Sequence, residues 1–130
     1  MKENILKVVI NRSVRDVFEF STNPKNTGLW FDGIAEETAS EYPPKLGTTY
    51  RNHALGSDVW NEYSVSDFKD GEVFELSCDG GYHVRYTYRK ISNSATEMTY
   101  CEWVDAGNLQ DPISTRPLEN LKSIMEAAIS

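Results

Sequence analysis

Between residues 34 and 104, turn-forming residues recur at the spacing of short strands, and this limits the fold more than any other feature. The turns fall at Pro43-Pro44, Leu55-Gly56-Ser57-Asp58, Asp70-Gly71, Asp79-Gly80-Gly81 and Ser92-Asn93-Ser94. Strand candidates lie between them, near 34–41, 47–54, 59–68, 72–78, 82–91 and 95–104. The spacing predicts a six-stranded meander, and the β-branched run 5–11 (ILKVVIN) adds a seventh strand ahead of it.

Hairpin loop length sets which residues face each other. A two-residue turn at Asp70-Gly71 pairs Val65 with Leu76, Ser66 with Glu75 and Tyr63 with Cys78. A three-residue loop at 79–81 pairs Leu76 with Val84, Phe74 with Tyr86 and Glu75 with Arg85. A two-residue turn at Asn93-Ser94 pairs Tyr86 with Cys101, Val84 with Trp103 and Arg85 with Glu102. A four-residue loop at 55–58 pairs Tyr50 with Tyr63 and Arg51 with Glu62. These choices put Tyr50, Asn52, Asn61, Tyr63, Val65, Phe74, Leu76, Cys78, Val84, Tyr86, Tyr88, Cys101 and Trp103 on one face. The other face carries Arg51–Glu62 and a row Glu75–Arg85–Glu102, opposite charges that support neighbouring strands. The expectation is an antiparallel sheet with one core face and one wet face.

Two short helices are expected after strand one. Ser13 caps the first, with Asp16 in capping-box position and Val14, Val17, Phe18 and Ser21 inward. Asn23-Pro24 ends it, and the apolar cluster Leu29-Trp30-Phe31 follows. At the C-terminus, Leu118, Leu121, Met125, Ala128 and Ile129 recur at helical steps. Pro117 is costly inside a continuous helix, so this one starts near 116 or breaks there.

At 130 residues, the chain suits one domain, 1–130, able to bury a core without staples. Its net charge of −7, with no basic run, excludes nucleic acid as an expected partner and disfavours an acidic membrane surface. No stretch is long and apolar enough for a membrane span, and residues 1–4 run into strand one without a signal-like segment. A cytoplasmic location is the expectation. Cys78 and Cys101 lack metal-ligand spacing. The register sets them two strands apart on the core face, roughly 9–10 Å, beyond the reach of a disulfide. They read as buried free thiols.

A one-faced sheet needs a cover. The C-terminal helix, the short helices and Trp30 supply it, and a strongly curved sheet round one modest helix leaves space between them. Asn52, Asn61 and the tyrosines put polar groups on that inner face, and buried polar atoms need partners. An apolar pocket with a few such groups is the usual make-up of a small-molecule site.

The order strand, two short helices, six-stranded meander and C-terminal helix resembles the SRPBCC superfamily, which includes START domains and birch-pollen-allergen-like proteins. The residues carrying the resemblance are Ile10-Asn11-Arg12-Ser13 to Val17-Phe18, Asn23-Pro24 to Trp30, Pro44-Lys45-Leu46-Gly47-Thr48, Glu62 to Phe68, and Leu118-Glu119-Asn120-Leu121-Lys122. They look most like the polyketide cyclase/dehydrase-like branch and cover essentially the whole chain. The resemblance implies an α+β helix-grip fold, with a seven-stranded curved sheet round the C-terminal helix and a hydrophobic cavity under that helix. It implies no one chemistry.

The ligand-binding candidates are therefore Trp30, Tyr50, Asn52, Asn61, Tyr63, Phe74, Tyr86, Tyr88, Trp103, Leu121 and Met125. The aromatics could stack on a ring-containing ligand, and they could equally fill the core. Asp67 falls on the inner parity near a strand end; desolvation there makes a general base, and exposure makes a rim carboxylate. Glu102 is assigned to the outer charge row, although a loop one residue longer would swing it into the cavity. His53 and His83 fall on the outer parity, beside Trp60 and Ser77, away from any pocket. No nucleophile elbow, phosphate-cradling loop or metal motif occurs, and no cofactor is expected. A carrier of a small apolar or aromatic molecule is the leading expectation. The resemblance also admits a cyclase or dehydratase acting on a polyketide-like ketone, with Asp67 or a tyrosine guiding proton transfer. It admits as well an interaction module of the chaperone-ATPase-activator type, which the charged outer face disfavours.

Overall fold

Alternation and turn chemistry produce a single seven-stranded antiparallel sheet in the computed structural model, which describes residues 1–127. The chain runs β1 (Glu3–Ile10), α1 (Val14–Thr22), α2 (Thr27–Trp30), β2 (Ile34–Ala39), β3 (Thr49–Ala54), β4 (Trp60–Lys69), β5 (Val73–Ser77), β6 (Tyr82–Ser92), β7 (Ala95–Val104) and α3 (Arg116–Ala127). The spatial order is β1-β7-β6-β5-β4-β3-β2, a meander closed on one side by β1. With α3 packed against it, this is an α+β helix-grip architecture.

The helices start where local chemistry directs. The Ser13 hydroxyl accepts the Asp16 N–H at 3.2 Å and caps α1. Pro117 occupies the second position of α3, where its missing N–H costs nothing. Leu118, Leu121 and Met125 form the buried face of α3, each side chain contributing about 1.5–3 kcal/mol by leaving water. Ala128 and Ile129, the expected end of that stripe, lie outside the described residues. Asn120 donates to the Trp30 carbonyl at 3.1 Å, tying α3 to α2. On the other side of α3, Lys122 donates to the Val9 carbonyl at 2.6 Å and Glu126 accepts the Asn11 N–H at 2.9 Å. The helix is thus clamped along the open edge of β1.

The hairpins β3–β4 and β5–β6 have the expected register, with Tyr50 opposite Tyr63, Leu76 opposite Val84 and Glu75 opposite Arg85. The other two hairpins differ through β-bulges. The β4–β5 loop is one residue longer than expected: Lys69 faces Val73, and Gly71 takes φ +74°, a value that suits glycine. A bulge between Val65 and Asp67 absorbs the extra residue and restores Val65 opposite Leu76. Asp67 therefore faces Glu75 on the outer side, correcting its expected inner position.

In β6–β7 the two-residue turn is present, with Ser92 opposite Ala95, but Ile91 is then skipped and Lys90 faces Thr96. Tyr86 consequently faces Tyr100, Arg85 faces Cys101 and Val84 faces Glu102. The physical reason is core composition. The uninterrupted register would have turned Glu97 and Thr99 inward. The bulged one buries Met98 and Tyr100 instead. Trp103 and Cys101 move to the outer face, and Glu102 moves inside at 1% exposure. The outer row then runs Asp67–Arg85–Glu75, both carboxylates 2.9 Å from the guanidinium. Cys78 and Cys101 are free and half-buried rather than buried, and they no longer share a face.

Candidate functional site

The inner face of β2–β7 is filled unevenly. Beneath α1 the aromatic side chains pack on one another: Phe18 stacks edge-on against Tyr88 at 5.0 Å, and Tyr50 against Phe74 at 5.3 Å. The Tyr88 hydroxyl lies 2.7 Å from Ser21 Oγ, and the Tyr50 hydroxyl donates to the Thr22 carbonyl at 2.8 Å. Tyr50, Phe74, Tyr88 and Leu121 are thus core residues, and Trp30 is fully buried between Phe31 and Tyr86.

Toward the other end, a cavity of about 240 Å³ opens between the sheet, α2 and the segment leading into α3. Phe31, Ile34, Leu76, Val84 and Ile113 give it apolar walls. Asn52, Asn61, Tyr63 and Tyr86, all expected from the sequence, line it together. Glu37, Tyr82 and Tyr100 join them, and none of these three was singled out from the sequence. The position of Glu37 had a signal: Glu36 and Glu37 are adjacent in a strand, so one must face inward. Its register follows from Asn52, which it faces across β2–β3. Tyr82 had a signal too, two residues before Val84 on the same parity. Tyr100 was hidden by the Ile91 bulge.

Glu37 is the one carboxylate lining this cavity among the described residues. Its oxygens accept from Thr27 Oγ1 at 2.6 Å and Asn52 Nδ2 at 3.1 Å. Burial pushes its carboxyl above the ordinary value, and those two donors only partly oppose the shift. Burial likewise raises the Tyr63, Tyr82, Tyr86 and Tyr100 hydroxyls, which stay neutral donors at physiological pH. The Tyr82 hydroxyl is committed to Glu102 at 2.6 Å. Among the described residues, the Tyr63 and Tyr86 hydroxyls have no hydrogen-bond partner, leaving them free for a molecule in the cavity.

Glu102 stands behind this wall. Besides Tyr82, it accepts from Asn4 Nδ2 at 2.9 Å and the Ile113 N–H at 2.8 Å. It fixes the segment carrying Ile113 over the cavity. Trp30 Nε1 is buried without a partner among the described residues.

The remaining candidates lie elsewhere. Trp103 stacks on His83 on the outer face, 4.9 Å and 15° apart. His83 Nδ1 lies 2.6 Å from Ser77 Oγ and its Nε2 2.9 Å from Asp105. This chain of groups sits on the convex face, away from either concavity. His53 packs on Trp60 at 4.5 Å. No group of three potential metal ligands occurs among the described residues. Met125 lines a second, wider groove of about 810 Å³ between α1, the 42–44 segment and α3. Its charged walls are already paired, Arg12 with Asp16 at 2.8 Å and Arg15 with Asp70 at 2.9 Å. Among the described residues it offers no convergent set of free polar groups.

The sequence matches no family model and no curated protein. The fold has many solved counterparts. A START superfamily protein from Mycobacterium smegmatis superposes with a TM-score of 0.72 at 12% identity, over 98% of this chain and 99% of that one. The Aha1 dimer from Colwellia psychrerythraea gives a TM-score of 0.71 at 13% identity over 100% of both chains. XoxI from Bacillus cereus gives 0.75 at 11% identity, over 97% of this chain and 96% of that one. At these identities the likeness is one of fold, and it establishes the START-type helix-grip architecture.

Proposed function

We propose that this chain, as a single domain, binds a small, ring-containing, largely apolar molecule in the cavity between the sheet, α2 and the approach to α3. The observation that carries this reading is the pairing of apolar walls with two uncommitted tyrosine hydroxyls, Tyr63 and Tyr86, at one concavity. Pockets for drug-sized ligands span about 300–1,000 Å³. At about 240 Å³ this one suits one or two rings and is too small for a whole lipid. The START-type fold of the M. smegmatis protein supports the same reading by analogy of architecture. No described helix is long and apolar enough to cross a membrane. Two free thiols suit a reducing compartment, and a cytoplasmic location goes with this proposal.

The test is native mass spectrometry of the purified protein with a thermal-shift screen of one- and two-ring aromatics. A co-purifying small molecule, or a concentration-dependent rise in melting temperature, is the expected result. Filling the cavity by Leu76→Trp should abolish it. If the wild-type protein takes up none of these molecules, the reading falls and an interaction role gains ground.

A further inference from the structure

The polar lining of the cavity restricts its ligand further, a restriction that rests on the binding role proposed for it. Among the described residues, no lysine, arginine or histidine lines the cavity, while Glu37 does. We infer that this site takes a ligand that presents a hydrogen-bond donor, a hydroxyl or an amine N–H, to Glu37, and that it rejects carboxylates and other anions.

Each Glu37 oxygen already accepts one hydrogen bond, from Thr27 and from Asn52. A carboxylate has about four acceptor positions, so capacity remains for a donor from the ligand. The Tyr63 and Tyr86 hydroxyls can donate to an acceptor on the same ligand. A phenol, which both donates and accepts, satisfies both sides at once.

An anion meets the opposite conditions. It would enter a half-enclosed site beside a carboxyl group with no cation to offset its lost hydration. The tyrosine hydroxyls offer hydrogen bonds but no charge. The chain as a whole carries −7, which also opposes the approach of anions. Glu37, Tyr63 and Tyr86 all line the same small volume.

The experiment compares four two-ring probes by titration calorimetry at pH 7.5: 2-naphthol, 2-naphthylmethylamine, naphthalene and 2-naphthoate. The naphthol or the amine should bind at least tenfold more tightly than naphthalene, and naphthoate more weakly than naphthalene. The first two separate a neutral hydroxyl from a charged amine as the preferred donor. Glu37→Gln removes the charge and keeps an acceptor, so naphthoate should gain at least fivefold while naphthol changes less than threefold. Naphthoate binding as tightly as naphthol, naphthol no tighter than naphthalene, or an unchanged naphthoate affinity in Glu37→Gln would each overturn the inference while leaving the cavity reading intact. Failure of naphthalene and all three derivatives to bind would instead remove the cavity reading, and the inference with it.

Discussion

The Tyr82 hydroxyl donates to a Glu102 carboxylate oxygen across 2.6 Å, joining the start of β6 to the buried end of β7. The other oxygen takes Asn4 from β1 and the Ile113 N–H from the segment before α3. One acidic side chain thus holds three separate parts of the chain round the end of the cavity. Removing it leaves buried donors without acceptors. Glu102→Ala should lose roughly 2–4 kcal/mol in urea unfolding, and Tyr82→Phe roughly 1–2 kcal/mol. Hydrogen exchange at the Ile113 amide should speed up in Glu102→Ala. A change under about 0.5 kcal/mol in both variants would show that Glu102 is not a structural tie.

Glu37 gives stability a definite pH dependence. Burial holds its carboxyl above the ordinary value in the folded state, so the folded chain binds this proton more tightly than the unfolded chain does. Its favourable contribution is complete below the unfolded value of about 4.3. That contribution is lost as pH rises through the folded value. Glu37→Gln should therefore melt roughly 2–5 °C higher than wild type at pH 7.5, with no advantage at pH 4. Melting curves across that range check the sign; an advantage that grows on acidification would contradict it.

The Ile91 bulge fits one extra residue into the β6–β7 hairpin. Deleting Ile91 removes only that residue: Ser92 opposite Ala95 then runs directly into Lys90 opposite Thr96, and Met98 and Tyr100 stay inward. The deletion variant should therefore still unfold cooperatively, at a cost of about 1–3 kcal/mol, and Ile91→Ala should stay within about 1 kcal/mol at this exposed position; loss of cooperative unfolding on deletion would show that the bulge itself is required.

Asp67 offers a contrast. Its carboxylate sits on the convex face against Arg85, which Glu75 also holds. Asp67→Asn should cost less than about 1 kcal/mol and leave the uptake of two-ring probes unchanged. Leu121→Ala, by comparison, removes a fully buried anchor of α3 and should cost roughly 2–5 kcal/mol. Chemical unfolding of the two variants side by side makes the comparison.

The architecture was legible in the sequence because turns and alternation repeat the same information many times over. The meander of β2 to β7, the start of α3 and the registers of two hairpins needed only turn spacing, loop length and parity, whereas the place of β1 beside β7 did not follow from them. A single skipped residue is different. Nothing around Ile91 or Ser66 departs from ordinary strand composition, and a bulge is stabilised by what it buries several residues away. Two shifts in the β4–β5 hairpin cancel, so Val65 and Leu76 were placed correctly while Asp67 was not. In β6–β7 one shift stands alone, and it moved Glu102, Cys101 and Trp103 together. Six of the cavity residues, Asn52, Asn61, Tyr63, Leu76, Val84 and Tyr86, followed from parity. Glu37 escaped because the nine residues between β2 and β3 form no tight turn from which its register could be counted.

The clamp of α3 along β1 has a bearing on how molecules of this protein meet one another. An open strand edge presents carbonyl and amide groups that can template a strand from a second chain. Here Lys122 occupies the Val9 carbonyl and Glu126 the Asn11 amide, so the same helix that roofs the core also blunts that edge. Shortening the helix before Lys122 would uncover it, and the first symptom would be edge-to-edge aggregation rather than a loss of ligand.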